Sequence, residues 1–465
     1  MRTLRLALLL ASAALSGCEM APAYHPPVVA TPPAFKEDTG WSLAKPQDDQ
    51  PRGSWWQVYH DADLDRIEDQ VTTANQDLKA ATARYDQARA LARSAKAALS
   101  PTVDLGAGAS GGSLSRAVSN PLPNRNTNLE SLGLDVSYEP DVWGRIRDSA
   151  RAAGSRAQAS AGDLASAALS LHAEAATDYF SLRGDDAQIA ILDDTTANYA
   201  KALELTRARF AAGYAASQDV AAAEAALDLA RTRAADVRLD RARLEHAIAI
   251  ITGQPPAAFS LSAHVLVAEP PAVARALPGD LLQRRPDIAA AERRVAAANH
   301  DIGAARAAFY PDFNLGGLIG AETQASAPLF GANAATWALG ASGVLNLFDG
   351  GRRRAARAQA TGEFDEAAAQ YRQSVLAAYG EAEDNLAAQT RLAQESATQT
   401  AAVAASTRAR QQATARYTAG YANYYEVVTA QGIELSARLD LALITARRMN
   451  ASVLLIKALG GGWNP

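Results

Sequence analysis

The side chains that most often carry chemistry are sparse and scattered in this chain. Its six histidines, His25, His60, His172, His246, His264 and His300, form no HExxH-type pair, and Cys18 is the only cysteine. An intrachain disulfide and a thiolate metal cluster are therefore excluded, and no metal site is expected. No nucleophile–base spacing appears, and no Gly-rich phosphate loop sits between a strand and a helix, so an enzyme is the weakest reading and no catalytic residue is expected. The net charge of −5 is dispersed, which gives no nucleic-acid-binding surface. Arginine, aromatic and glycine residues do recur at fixed spacing in one stretch that occurs twice. Arg209-Phe210-Ala211-Ala212-Gly213-Tyr214 is followed by Asp219, and Arg416-Tyr417-Thr418-Ala419-Gly420-Tyr421 by Glu426, an offset of 207 residues (420 − 213). Gly213 and Gly420 can each end a helix in the left-handed conformation, and each acid stands where a following helix starts, near its positive end. Both stretches read as tips of long helical hairpins, and so long a repeat means a duplicated half-chain.

Cys18 has a different chemistry. Arg2 and Arg5 precede an apolar run from Leu6 to Leu15. At about ten residues it is too short to span a bilayer, and it fits a signal peptide over residues 1–17. Leu15-Ser16-Gly17-Cys18 follows and resembles a bacterial lipobox, in which Cys18 carries an S-diacylglycerol and an N-palmitoyl group and becomes the mature N-terminus. Acyl chains contribute about 0.8 kcal/mol per buried CH₂, enough for a multiply acylated cysteine to hold a protein on a membrane. That covalent lipid is the only non-protein group expected, and no cofactor is. Glu19, rather than Asp, fits sorting to an outer membrane.

The elements that position these residues follow in order. Residues 18–53 read as a lipid-anchored, Pro-rich leader. A helical run capped within Asp61–Asp63 extends to about Leu99 and ends at Ser100-Pro101. Val103, Leu105, Ala107 and Ala109 then alternate with Thr102, Asp104, Gly106 and Ser110, and Leu132, Leu134 and Val136 alternate with Gly133, Asp135 and Ser137. Strands are predicted over about 102–112 and 129–141, with the length and alternation of a membrane-barrel hairpin. Residues 145–212 lack proline, enough for a helix of about 100 Å, and Ala168, Ala175, Leu182, Ile189, Thr196, Leu203 and Phe210 recur every seven residues as a packing seam in which Gly184 is a candidate kink. The order repeats: strands over about 312–322 and 335–348, a second proline-free run to Ala419, and a last helix to about Leu459. The domains expected are a first repeat over 54–262 and a second over 263–465.

Each half supplies one strand hairpin and one long helix with two shorter ones. Four strands cannot close a barrel, and an open edge cannot sit in lipid. If these strands span a membrane the chain must oligomerise, and twelve strands from three copies close the ring.

Taken together, Leu15-Ser16-Gly17-Cys18, Trp55-Trp56, Arg284-Arg285-Pro286-Asp287-Ile288, Ile302-Gly303-Ala304-Ala305, Tyr310-Pro311 and the two tips resemble the outer-membrane factor lipoproteins of tripartite efflux pumps, the NodT and OprM type related to TolC. The resemblance covers almost the whole mature chain. It implies a mainly α fold with a small β part: a homotrimer sharing a twelve-stranded transmembrane β-barrel above a long α-helical periplasmic barrel. It implies a passive conduit in the outer membrane, reaching into the periplasm, partnered by a periplasmic adaptor, an inner-membrane pump of the resistance-nodulation-division class and outer-membrane lipid. The alternatives are a type I secretion conduit for proteins, with the same fold, and a periplasmic coiled-coil scaffold without a pore. By the same resemblance Tyr417 and Asp219 link neighbouring hairpins and hold the tip closed, and Glu426 lines the constriction. Ala422 and Thr429 stand where relatives can carry an Arg and a second acid, so the gate of this chain is expected to be latched differently. Arg352-Arg353-Arg354 reads either as a contact for lipid headgroups or as a solvated helix face.

Overall fold

A computed structural model describes residues 20–37, 53–113, 115, 117, 126–265, 269–271, 284–324 and 328–461. The expected signal peptide and Cys18 lie outside these residues, as does the part of the leader over 38–52. The elements are α1 (Ala62–Ala74), α2 (Gln76–Ala97), β1 (Thr102–Ser113), β2 (Asn126–Tyr138), α3 (Arg145–Ala211), α4 (Ser217–Ile251), α5 (Pro286–Ala307), β3 (Asp312–Gln324), β4 (Ala335–Val344), α6 (Arg352–Thr418) and α7 (Tyr424–Ala458), with 3₁₀ turns at Trp55–Tyr59 and Pro256–Ala258. The duplication is metrical: α3 and α6 have 67 residues each, α4 and α7 35, α2 and α5 22. Among the described residues no helix is long and apolar enough to cross a membrane.

Two compact units result, and neither is one of the sequence repeats. One comprises Met1–Val28, Arg84–Ala161 and Ala290–Arg372, the other Val29–Ala83, Gly162–Ala289 and Gln373–Pro465. Each repeat gives its strand hairpin to the first unit and its helical tip to the second, so a boundary between repeats near residue 262 does not separate compact bodies.

In the first unit the four strands form one antiparallel sheet in the order β1-β2-β3-β4. Register carries the alternation across all four. Leu105 pairs with Leu134, Leu134 with Ile319 and Ile319 with Trp337, while on the other face Gly106, Gly133, Gly320 and Thr336 align. A one-residue slip would move every apolar side chain to the opposite face. The strand ends differ from the predicted ones. β2 spans residues 126–138, not 129–141, since Pro140 cannot donate to a ladder and Tyr138 is the last residue paired with β3. β4 stops at Val344, which already faces the first residue of β3, so Leu345 and Leu347 have no opposite strand to pair with.

The second unit has a conventional core. Leu64, Ile67 and Val71 of α1 form one apolar stripe at helical spacing. They pack with Tyr179, Phe180 and Leu182 of α3, Ile248 of α4, Met449 and Val453 of α7, and Trp55, Trp56 and Tyr59. Each such side chain contributes roughly 1.5–3 kcal/mol when fully buried. The seam predicted along α3 is buried at Ala175, Leu182 and Leu203, whereas Phe210 at its end is half exposed. Gly184 does not break α3; a Cβ there would stand 2.7 Å from the Ala446 Cβ, so the glycine allows a close approach to α7. A charged network lies beside this core. Arg183, 1% exposed, donates to Asp186 Oδ2 (2.9 Å), Ser262 O (2.7 Å) and Asp63 Oδ2 (3.1 Å), and Arg241 Nε donates to Asp186 Oδ1 (2.6 Å).

Glu68 is buried in the same core. Its Oε2 lies 2.6 Å from His172 Nδ1, and Trp56 stacks on that imidazole at 4.5 Å. Burial pushes the Glu68 carboxyl up to about 7, against the opposing hydrogen bond and charge of His172. A pKa raised on folding means the protonated form contributes the stability. That contribution is complete below the ordinary value of 4.5 and is lost as pH rises through about 7. Between about pH 5 and pH 8 the wild type should lose on the order of 2–3 kcal/mol that Glu68→Gln retains, read as denaturant midpoints at the two pH values. Parallel pH dependences in the two proteins would contradict it.

Candidate functional site: the helical tips and the sheet face

At the first tip, in the second unit, α3 stops because Gly213 takes φ +78°. Its N–H donates to Phe210 O (2.9 Å) and the Tyr214 N–H to Arg209 O (2.8 Å), which satisfies two carbonyls of the last turn. At the second tip Gly420, φ +82°, donates to Tyr417 O (3.1 Å) and Tyr421 to Arg416 O (2.8 Å). The same pair of bonds closes α4 at Gly253-Gln254 and α7 at Gly460-Gly461.

The helices that leave the tips are capped differently. Asn423 Oδ1 accepts from the Glu426 N–H at 3.2 Å. Ala216, its counterpart, has no acceptor, and Asp219 Oδ2 reaches back to the Ala216 N–H at 3.2 Å instead. Glu426, released from the backbone, pairs with Arg416 (Oε2 to a guanidinium nitrogen, 3.2 Å). The Tyr417 ring packs on Tyr424 (centroids 5.2 Å apart), and the Arg209 guanidinium carbon lies 4.7 Å from its centroid. The Tyr417 hydroxyl is buried and has no hydrogen-bond partner among the described residues. Within one chain, then, no Tyr417–Asp219 hydrogen bond forms, because the helix start without a capping side chain occupies Asp219. A buried cluster of Tyr199, Leu203, Ala223, Leu227, Tyr424 and Val427 joins the two hairpins just inside the tips. Beyond it Tyr214 and Tyr421 are 85% and 80% exposed.

Two residues hold the other end of these hairpins: Arg285, read from the sequence only as part of a motif, and Asn75, which sequence reasoning passed over. Arg285 donates to Ala458 O (3.0 Å) at the end of α7, and also to Glu381 (2.7 Å) and Asp287 (2.7 Å). Asn75, its counterpart 210 positions earlier (285 − 75), donates through Nδ2 to Ile251 O (2.7 Å) at the end of α4, while its Oδ1 caps α2 at the Leu78 N–H (2.8 Å). The single run expected from Asp61 to Leu99 is therefore two helices broken at Asn75. The signal was present: an asparagine three residues before Leu78 is a helix cap.

In the first unit the leader has no helix or strand over residues 20–28, yet it is fastened along α5. Arg306 donates to Met20 O (3.4 Å), Asn299 to Pro22 O (2.8 Å), and the Tyr24 hydroxyl to Glu292 Oε1 (2.5 Å). Gly303 is the floor of this track, since a Cβ there would meet Ala21 N at 2.7 Å. Within Arg352-Arg353-Arg354, Arg353 folds onto Asp349 (2.7 Å) and lies over Phe309. Asp349 also accepts from the Gly351 and Arg353 N–H groups, and the Arg353 guanidinium bond first, with these two behind it, lowers its carboxyl to about 2. Arg353 thus belongs to a helix cap, while Arg352 and Arg354 are exposed.

One face of the sheet carries Val103, Leu105, Leu134, Val136, Phe313, Leu315, Ile319, Trp337 and Leu339; Trp337 is 78% and Leu339 82% exposed. The opposite face carries Thr102, Asp104, Ser131, Asp135, Asn314, Glu322 and Thr336. So large an unpartnered apolar face, backed by a polar one, suits a sheet with lipid on one side and water on the other.

These features define a membrane β-sheet joined in one chain to long helical hairpins, and the comparisons agree. The description of the outer membrane efflux protein family matches residues 69–254 and again 277–461, so the chain belongs to that family. It is similar to SepC, a probable efflux pump outer membrane protein of Pseudomonas putida strain F1, at 31% identity over 97% of this chain and 96% of that one. It is similar to the outer membrane protein OprJ of Pseudomonas aeruginosa strain PAO1 at 30% identity over 98% and 95%. Among solved structures, the outer-membrane channel OprN superposes with a TM-score of 0.87 at 30% identity, covering 96% of this chain and all of that one.

Proposed function

We propose that the chain is the outer-membrane subunit of a tripartite efflux system, a passive trimeric conduit that carries small toxic molecules from the periplasm, or from an inner-membrane pump, to the exterior. The observation that carries this reading is the sheet: four antiparallel strands, apolar on one face, with β1 and β4 as open edges. Unpaired edges are untenable in lipid, and three copies joined edge to edge satisfy them with twelve strands. A periplasmic adaptor and a pump of the resistance-nodulation-division class are the partners, and outer-membrane lipid surrounds the barrel. Cys18 bears the lipid, two residues ahead of the fastened segment that starts at Met20. The tips form the periplasmic gate, with Tyr417 and Asp219 in its closure and Glu426 at the constriction. The conduit catalyses no reaction and needs no cofactor.

Deleting the gene should sensitise cells to a panel of antibiotics, dyes and organic solvents, and the purified chain should run as a heat-resistant trimer that conducts in planar bilayers. Unaltered tolerance across the panel, or a soluble monomer without conductance, would count against the conduit.

A further inference from the structure

The two tips are near-copies in sequence, and their one difference in capping changes which side chains are left to act between them. At the second tip Asn423 caps α7, Glu426 is free of the backbone, and it holds Arg416 at 3.2 Å. At the first tip Ala216 cannot cap, Asp219 turns back to the Ala216 N–H, and Arg209, the counterpart of Arg416, has no carboxylate partner among the described residues. Arg209 instead lies over the Tyr417 ring of the other hairpin at 4.7 Å. Tyr424 packs on the same ring, and the Tyr417 hydroxyl makes no hydrogen bond among the described residues. We propose that Arg209 is a positioning residue that latches the first hairpin to the second through the face of the Tyr417 ring, and that the Tyr417 hydroxyl takes no part in the latch. This inference rests on the tips being the gate. A cation over an aromatic face is attracted by the ring quadrupole, an interaction that needs the charge and the ring but not the oxygen.

The test uses the full-length trimer with two readouts. Hydrogen exchange of the amides at residues 208–214 reports the latch itself, and bilayer conductance reports the gate. Arg209→Gln and Tyr417→Leu should each speed exchange at 208–214 by about two- to fivefold and raise conductance in the same order, the range expected for losing one such contact at a partly exposed site. Arg209→Lys, which keeps the cation, should restore most of the protection. Tyr417→Phe should match the wild type in exchange at 208–214, and Arg416→Gln should leave that exchange unchanged. Wild-type exchange in Arg209→Gln, or Tyr417→Phe as fast as Tyr417→Leu, overturns the latch. Faster exchange in Arg209→Gln with conductance unchanged supports the latch and removes the gate reading on which its role rests.

Discussion

Arg183→Leu should destabilise the protein by about 3–5 kcal/mol, the largest effect we expect of any single charged residue. The guanidinium is 1% exposed and its three bonds end on Asp186, Asp63 and the Ser262 carbonyl. Leucine fills part of the space but leaves a buried carbonyl without its donor and an aspartate with half its countercharge. Asp186 keeps Arg241 at 2.6 Å, which holds the loss below that of a wholly stranded carboxylate. Arg241→Leu should cost less, because its side chain is 15% exposed and water can replace part of what is lost. Denaturant unfolding of the detergent-solubilised protein checks both. A change within about 1 kcal/mol for Arg183→Leu would show that the network is replaceable by packing, as some buried ion pairs are.

Gly253→Ala should be nearly as damaging, and Gly213→Ala mild, although the two glycines have almost the same backbone: φ is +73° at Gly253 and +78° at Gly213. Left-handed geometry alone costs a non-glycine residue roughly 1–2 kcal/mol at either site. What separates them is the neighbourhood. A Cβ on Gly213 meets nothing within 4 Å, whereas one on Gly253 stands 2.6 Å from the Ala74 carbonyl oxygen, and that backbone cannot swing away as a side chain would. The expected difference between the two alanine variants is about 2 kcal/mol or more, in the range of overpacked sites. Equal midpoints in thermal unfolding would mean the end of α1 moves freely. A Cβ on Gly460, the counterpart of Gly253 in the second repeat, would stand 3.0 Å from the Arg284 carbonyl oxygen, so Gly460→Ala should fall between the two.

Much of this fold was legible because its rules are local. Helix ends were marked by Gly213 and Gly420, and strand faces by the alternation of Val103 and Leu105 with Asp104. The helices α3 and α6 were marked by long runs without proline. Local reading failed where a residue answers to a partner far along the chain. Asn75 can be read locally as a cap, but its second bond, to the Ile251 carbonyl, cannot be read without the distant partner. Gly184 looked like a flexible point and is a spacer, because what matters is Ala446 on another helix. At the tips, the types of Tyr417, Asp219 and Glu426 could be read but not their pairing. Whether Asp219 meets a tyrosine or its own helix depends on Ala216, a residue with no chemistry of its own.

The fastening of residues 20–24 along α5 has a consequence for the order of folding. Tyr24 and Glu292 are 268 residues apart in sequence, and Met20 and Arg306 are 286 apart. Residues 20–24 therefore lack the helix they lie on until the chain has been made through Pro286–Ala307, more than 260 residues later. Loop closure over such a separation is entropically unfavourable and slow, so this contact should form late. A chain interrupted before Pro286 would leave residues 20–24 unfastened, and the fastened segment thus serves as a seal that only a chain extended through α5 can close.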